Sequence, residues 1–172
     1  MRNALPKHES GRREYLKVAE GGLYLEPTMV QTVLGSCLGA AFHVPSSGIG
    51  AFFHAFLPWY AEFEDKSASQ AYRFVDTSIA LVVKKFARLG VRPTQMTVSL
   101  IGGANWLVGE RASVGARNVA AAYETLDRFG IRPEFADVGG RRGRKVFFQS
   151  ATGELRIIRL RDALAQPTRP AG

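Results

Sequence analysis

The sequence predicts a mixed α/β domain: a largely antiparallel β-sandwich core flanked by helices. Its 172 residues, 46% hydrophobic and 22% charged, suit one globular domain of roughly 100–200 residues rather than a disordered chain. Short apolar runs bounded by Gly, Pro and Ser outnumber two longer segments of helical period. Their order is three strands, a helix, a strand, a helix and three strands, which lacks the regular alternation of a doubly wound parallel sheet. The expected organisation is a polar tail over 1–17, one domain over 18–163 and a second polar tail over 164–172.

The first 17 residues carry no apolar core of a secretory signal, and no run approaches the ~18–20 apolar residues of a membrane span. A cytoplasmic protein is expected. Met29–Val33 and Leu38–His43 read as strands broken at Leu34-Gly35-Ser36, and a turn at Pro45–Gly48 leads into a third strand, Ile49–Phe56. After an acidic loop, Ser67-x-x-Gln70 reads as a capping box. The helix it opens has Phe74, Val75, Ile79, Val82, Val83, Phe86 and Leu89 near 3.6 spacing, with Gly90 as its stop. Met96–Ile101 is a strand entering Gly102-Gly103-Ala104-Asn105. A second helix spans about 115–129, with Val119, Ala122 or Tyr123, Leu126 and Phe129 on one face, and Gly130 ends it. Ile131–Val138, Lys145–Gln149 and Leu155–Leu160 complete the strands. No G-x-G-x-x-G or G-x-x-x-x-G-K-[ST] opens a helix, so nucleotide binding has no support.

The net charge is +8, and ten basic against four acidic residues lie from Arg128 onward. Such a face suits an acidic partner or nucleic acid. The cluster Arg141-Arg142-Gly143-Arg144-Lys145 lacks interleaved aromatics before Phe147, however, so no nucleic-acid partner is expected. The single cysteine, Cys37, excludes an internal disulfide and a cysteine-only metal site.

Cys37 stands where a strand ends in a Gly-Ser turn and another begins, a place where a nucleophile is held rigidly yet within reach. Its alternative role is that of a small buried hydrophobe. A thiol needs a base. His8 falls in the charged tail and His43 beside the Pro45 turn, while His54 interrupts an apolar strand as either a core histidine or a positioned base. Pairing of the two strands through the Pro45–Gly48 turn permits Cys37 and His54 to lie at one end of the sheet. A third group commonly fixes the imidazole tautomer. Thr32 is a candidate, or else an ordinary β-branched strand residue; Asp76 and Glu110 offer the same chemistry.

The stretches Thr32-x-Leu34-Gly35-Ser36-Cys37, Gly48-x-Gly50 and His54-x-x-Leu57-Pro58 together resemble the signature of the chemoreceptor glutamine deamidase family CheD. Gly102-Gly103-Ala104, Val114-Gly115-Ala116-Arg117-Asn118-Val119, Asp137-x-Gly139-Gly140 and Arg144-Lys145-Val146 extend the resemblance over about residues 20–161. It implies an α/β sandwich related to the catalytic domain of cytotoxic necrotizing factor. It also implies hydrolysis of glutamine side-chain amides on methyl-accepting chemotaxis receptors, with methylesterase activity in some members. By motif, Cys37 is the nucleophile, His54 the base and Thr32 the third member; some members place the threonine one position earlier, where this chain has Gln31. No metal or cofactor is implied. The implied partners are the receptors and, in some bacteria, a CheC-type phosphatase, which makes a chemotaxis adaptor the alternative function. Trp59, Tyr60 and Trp106 are candidate contacts to a receptor helix, and the basic carboxy-terminal face a candidate for steering. His43 replaces an acidic residue common in the family, and Ala116 replaces a glutamate.

Overall fold

The computed structural model describes residues 11–62, 71–105 and 113–161. Among these residues nine strands, β1 (Arg12–Tyr15), β2 (Glu20–Tyr24), β3 (Thr28–Leu34), β4 (Leu38–Val44), β5 (Ile49–Ala55), β6 (Thr97–Gly102), β7 (Phe135–Val138), β8 (Arg144–Gln149) and β9 (Leu155–Arg159), form two sheets. One sheet has the order β1-β3-β8-β9 and the other β2-β5-β4-β6-β7. Only β1–β3 and β6–β7 pair in parallel. The mixed α/β, mainly antiparallel architecture expected from the element order is the one found.

The molecule has three layers. In β3, Thr28, Val30, Thr32 and Leu34 are buried, while Met29, Gln31 and Val33 face outward, the period-2 pattern of a strand with one wet face. The inward set meets Tyr24, Ala41, Phe52 and Ile101 of the five-stranded sheet together with Val146 and Phe148 of β8. Phe52 and Phe148 close this gap with ring centroids 5.8 Å apart. The opposite face of the five-stranded sheet, including Leu38, Ala40, Phe42, Phe53 and Leu100, packs beneath helices α1 (Val75–Arg88) and α2 (Val114–Arg128). The central strands β4 and β5 are therefore covered on both faces, and almost every residue in them is buried.

Helix α1 buries Val75, Ile79, Val82, Val83 and Phe86 as its spacing predicts, while Leu89 at the C-cap is exposed. Its first residue is Val75. The Ser67–Gln70 capping box lies outside the described residues, and Phe74 is the N-cap. Helix α2 turns a small-residue face inward, burying Ala121, Ala122 and Leu126 with Asn118 and Thr125, and leaves Tyr123 exposed. Neither described helix is long and apolar enough to cross a membrane.

Three boundaries differ from the sequence expectation. Arg12–Tyr15, assigned to the tail, adds to the edge of the four-stranded sheet, and Glu20–Tyr24 adds to the edge of the other. The strand expected from Ile131 begins only at Phe135. Gly130 takes φ +67°, so Ile131 turns back to donate to Leu126 O of α2, and Pro133 delays strand pairing.

Candidate active site

Gly35-Ser36-Cys37 carries the chain from β3 in one sheet to β4 in the other. It lies at one end of the gap between the sheets, and its carbonyls are tied down in succession. Gly35 O accepts from Ala104 N at 2.9 Å and Cys37 O from Gly103 N at 2.8 Å. Ser36 O accepts from Asn118 Nδ2 at 3.0 Å. Such an approach requires glycine at 102, where φ is +108° and an added Cβ would overlap the Cys37 carbonyl oxygen. The Gly-Gly-Ala stretch that ends β6 and follows it thus serves as the seat of the cysteine turn.

Thr32 and His54 project into the same gap from opposite sheets. Thr32 Oγ1 lies 2.8 Å from His54 Nδ1 and donates to Leu16 O at 2.8 Å. A hydroxyl has one proton. With that proton committed to Leu16, Thr32 accepts from the imidazole, so the ring carries its hydrogen on Nδ1 and its lone pair on Nε2. Among the described residues Nε2 has no hydrogen-bond partner although it is buried. Gln31 belongs to the outward-facing set of β3. Burial lowers the His54 pKa to about 4, with Leu16 O and the Glu20 carboxylate opposing only in part, so the ring is neutral near neutral pH.

Cys37 shares the gap. Gly39 stands opposite His54 across β4 and β5, which places Cys37, two residues earlier, on the diagonal of that pair. Residues two apart on an extended chain face the same side. Cys37, half-buried, accordingly packs against the inter-sheet cluster that contains Leu34 and Phe52. Glycine at 39 leaves the position across from the imidazole without a side chain. Burial raises the thiol pKa above its ordinary value, opposed by the residue's own backbone N–H. Cysteine and histidine are therefore both uncharged at rest, and Nε2 makes no hydrogen bond to the thiol. Such bonds often tighten only when substrate enters.

The other candidates fall elsewhere. His43 is buried at the far end of the same face, with Nε2 3.2 Å from Ala151 O, where the sequence suggested a surface turn. Asp76 accepts from Tyr60 N at 3.1 Å at the start of α1. His8, Glu110 and Trp106 lie outside the described residues. Trp59 packs against the helix-layer core with the Arg128 guanidinium 5.6 Å from its ring centroid, and Tyr60 meets Phe74 edge-on. Within the basic cluster, Arg144 is buried and bonds Asp137 at 2.9 Å. Asn118 was legible only as a motif residue; its bonds to two backbone segments depend on a fold that no local spacing reveals.

A half-buried thiol on the same sheet face as an imidazole held by a third side chain is the set of groups that thiol-dependent acyl transfer draws on, here carried on an α/β sandwich. Residues 56–159 match the family model described as CheD chemotactic sensory transduction. The match begins just after His54. Alignments with individual proteins reach further. The chain is 40% identical over 157 residues to the "Probable chemoreceptor glutamine deamidase CheD" of Nitratidesulfovibrio vulgaris, covering 87% of this chain and 78% of that protein. It is 39% identical over 165 residues to the protein so named from Maridesulfovibrio salexigens, covering 91% and 97%. It is 38% identical over 156 residues to "Probable chemoreceptor glutamine deamidase CheD 2" of Geobacter sulfurreducens, covering 90% and 94%. The chain belongs to the CheD family.

Proposed function

We propose that this chain is a cytoplasmic protein-glutamine deamidase that converts particular glutamine side chains of methyl-accepting chemotaxis receptors to glutamate. Cys37 is the nucleophile, His54 the base and then the acid, and Thr32 the group that fixes the imidazole. The observation that carries this reading is the Thr32–His54 contact, which leaves a buried Nε2 without a partner among the described residues, on the sheet face that Cys37 shares. The names of the related proteins supply the substrate class. The catalytic unit is one domain that begins before the expected boundary at 18, because it includes β1 and Leu16.

Because both groups are neutral at rest, proton transfer accompanies attack. Nε2 takes the thiol proton as sulfur bonds to the amide carbon, and the oxyanion is held by backbone N–H groups of the 35–37 turn. The imidazolium returns the proton to nitrogen, the C–N bond breaks and ammonia leaves. Water, deprotonated by Nε2, attacks the thioester; the C–S bond breaks, the thiol is restored and glutamate is released. A glutamyl methyl ester presents the same acyl carbon, so methylesterase activity follows with methanol as the leaving group.

Incubating the purified protein with a receptor cytoplasmic fragment and mapping peptide masses tests this reading. Amide-to-carboxylate conversion at a few glutamines, with release of ammonia, is the expected result; a receptor unchanged in mass would refute it. A methylated receptor tests the esterase, and competition by a CheC-type phosphatase tests the adaptor role.

A further inference from the structure

Asn118 is wholly buried on the inner face of α2, one turn after Gly115. That glycine lets the helix approach Gly103 and Ala104 so closely that an added Cβ would overlap the Ala104 carbonyl oxygen. Asn118 Nδ2 donates to Ser36 O at 3.0 Å and to Phe56 O at 3.2 Å. These carbonyls belong to the residue before Cys37 and to the second residue after His54. Two carbonyl acceptors fix the orientation of the carboxamide, since only its NH2 end can serve both. Its Oδ1 is buried and makes no hydrogen bond among the described residues, a cost that packing alone does not explain. None of the described peptide bonds is cis, and in a trans peptide the C=O and the next N–H point in opposite directions. Holding Ser36 O on α2 therefore turns the Cys37 N–H away from the helix.

We infer that Asn118 is a positioning residue for the proposed deamidation: it ties the peptide preceding the nucleophile to the end of the base's strand, setting the thiol–imidazole separation and aiming the Cys37 N–H at the developing oxyanion. The inference rests on the reading of Cys37 and His54 given above. Thr125, two turns further along α2, supplies a control, being likewise buried with a hydroxyl oxygen that has no partner among the described residues.

Asn118→Ala, Asn118→Asp and Thr125→Ala proteins are compared with wild type for folding by circular dichroism, for kcat and KM on the receptor fragment, and for the rate of Cys37 alkylation by iodoacetamide. Folded Asn118 variants are expected to lose about 100-fold in kcat, the scale of a misplaced reacting group, with KM little changed. Their Cys37 should alkylate faster as the turn is released. Asn118→Asp should regain kcat relative to wild type as pH falls, because the protonated acid restores one donor to the two carbonyls. A kcat equal to that of Thr125→Ala, a loss confined to KM, or unfolding of both Asn118 variants would overturn the inference. If wild type itself leaves the receptor unchanged, the proposed function fails instead, and alkylation alone decides the clamp: unchanged rates in both Asn118 variants overturn it.

Discussion

Thr32 has one proton to give, and Leu16 O receives it; the tautomer of the imidazole follows from that. Thr32→Val keeps the shape but leaves both Leu16 O and His54 Nδ1 unpartnered. It should lower kcat by up to the roughly 10²–10⁴-fold that general-base catalysis contributes, with the fold retained. Steady-state kinetics on the receptor fragment check this, and an unchanged kcat would remove Thr32 from the site. The pH dependence follows from His54, whose pKa falls from its ordinary 6.5 to about 4. The base works unprotonated, so kcat/KM should hold through mildly acidic pH and fall only as pH drops through about 4. The unfolded chain binds this proton first, so stability is full above pH 6.5 and declines between 6.5 and about 4. Denaturation titrated across that window, with His54→Gln flattening the slope, is the check. Residue type and spacing made Cys37, His54 and Thr32 candidates, with His54 and Thr32 equally readable as core and strand residues, and only the family motif gave the three their roles. Which nitrogen holds the proton was not legible in the sequence, since Leu16 enters only through the fold.

Among the elements, the turn after β6 has the tightest constraint. Gly102→Ala puts a side chain at φ +108° against the Cys37 carbonyl. It should destabilise the domain by about 2–4 kcal/mol from backbone strain and overlap, and lower kcat in the protein that folds. Chemical denaturation and kinetics together measure both effects. Helices α1 and α2 and strands β3 to β9 were readable from periodicity and punctuation, with the start of β7 set four residues too early. Strands β1 and β2 escaped because, unlike the other two edge strands, they carry no apolar run. Arg-Arg-Glu-Tyr and Glu-Gly-Gly-Leu-Tyr pair through the backbone while burying little, and polar or glycine-rich edges are how sheets avoid unwanted pairing.

On the scale of the whole molecule, Asp137 joins the two sheets. From β7 it accepts from Arg144 of β8 and Arg159 of β9, each at 2.9 Å. Burial works against its charge, but hydrogen bonds from Arg159 and Arg144 outweigh this and hold its carboxyl below the ordinary value. Asp137→Ala strands the buried Arg144 guanidinium and should cost roughly 3 kcal/mol, read as a lowered denaturation midpoint. The sequence showed a basic cluster and suggested a charged face; the fold takes Arg144 out of it as a structural ion. The sandwich class was legible from the order of elements, but not the division of strands between sheets. That depends on the three residues 35–37 crossing the gap, where a hairpin would have kept β3 and β4 in one sheet. The same crossing sets the cysteine at the mouth of the gap. The most direct test is therefore deamidation of the receptor fragment by a folded Cys37→Ala protein, followed by peptide mass. No glutamine that wild type converts should be converted; conversion at the wild-type rate would show that Cys37 is not the nucleophile.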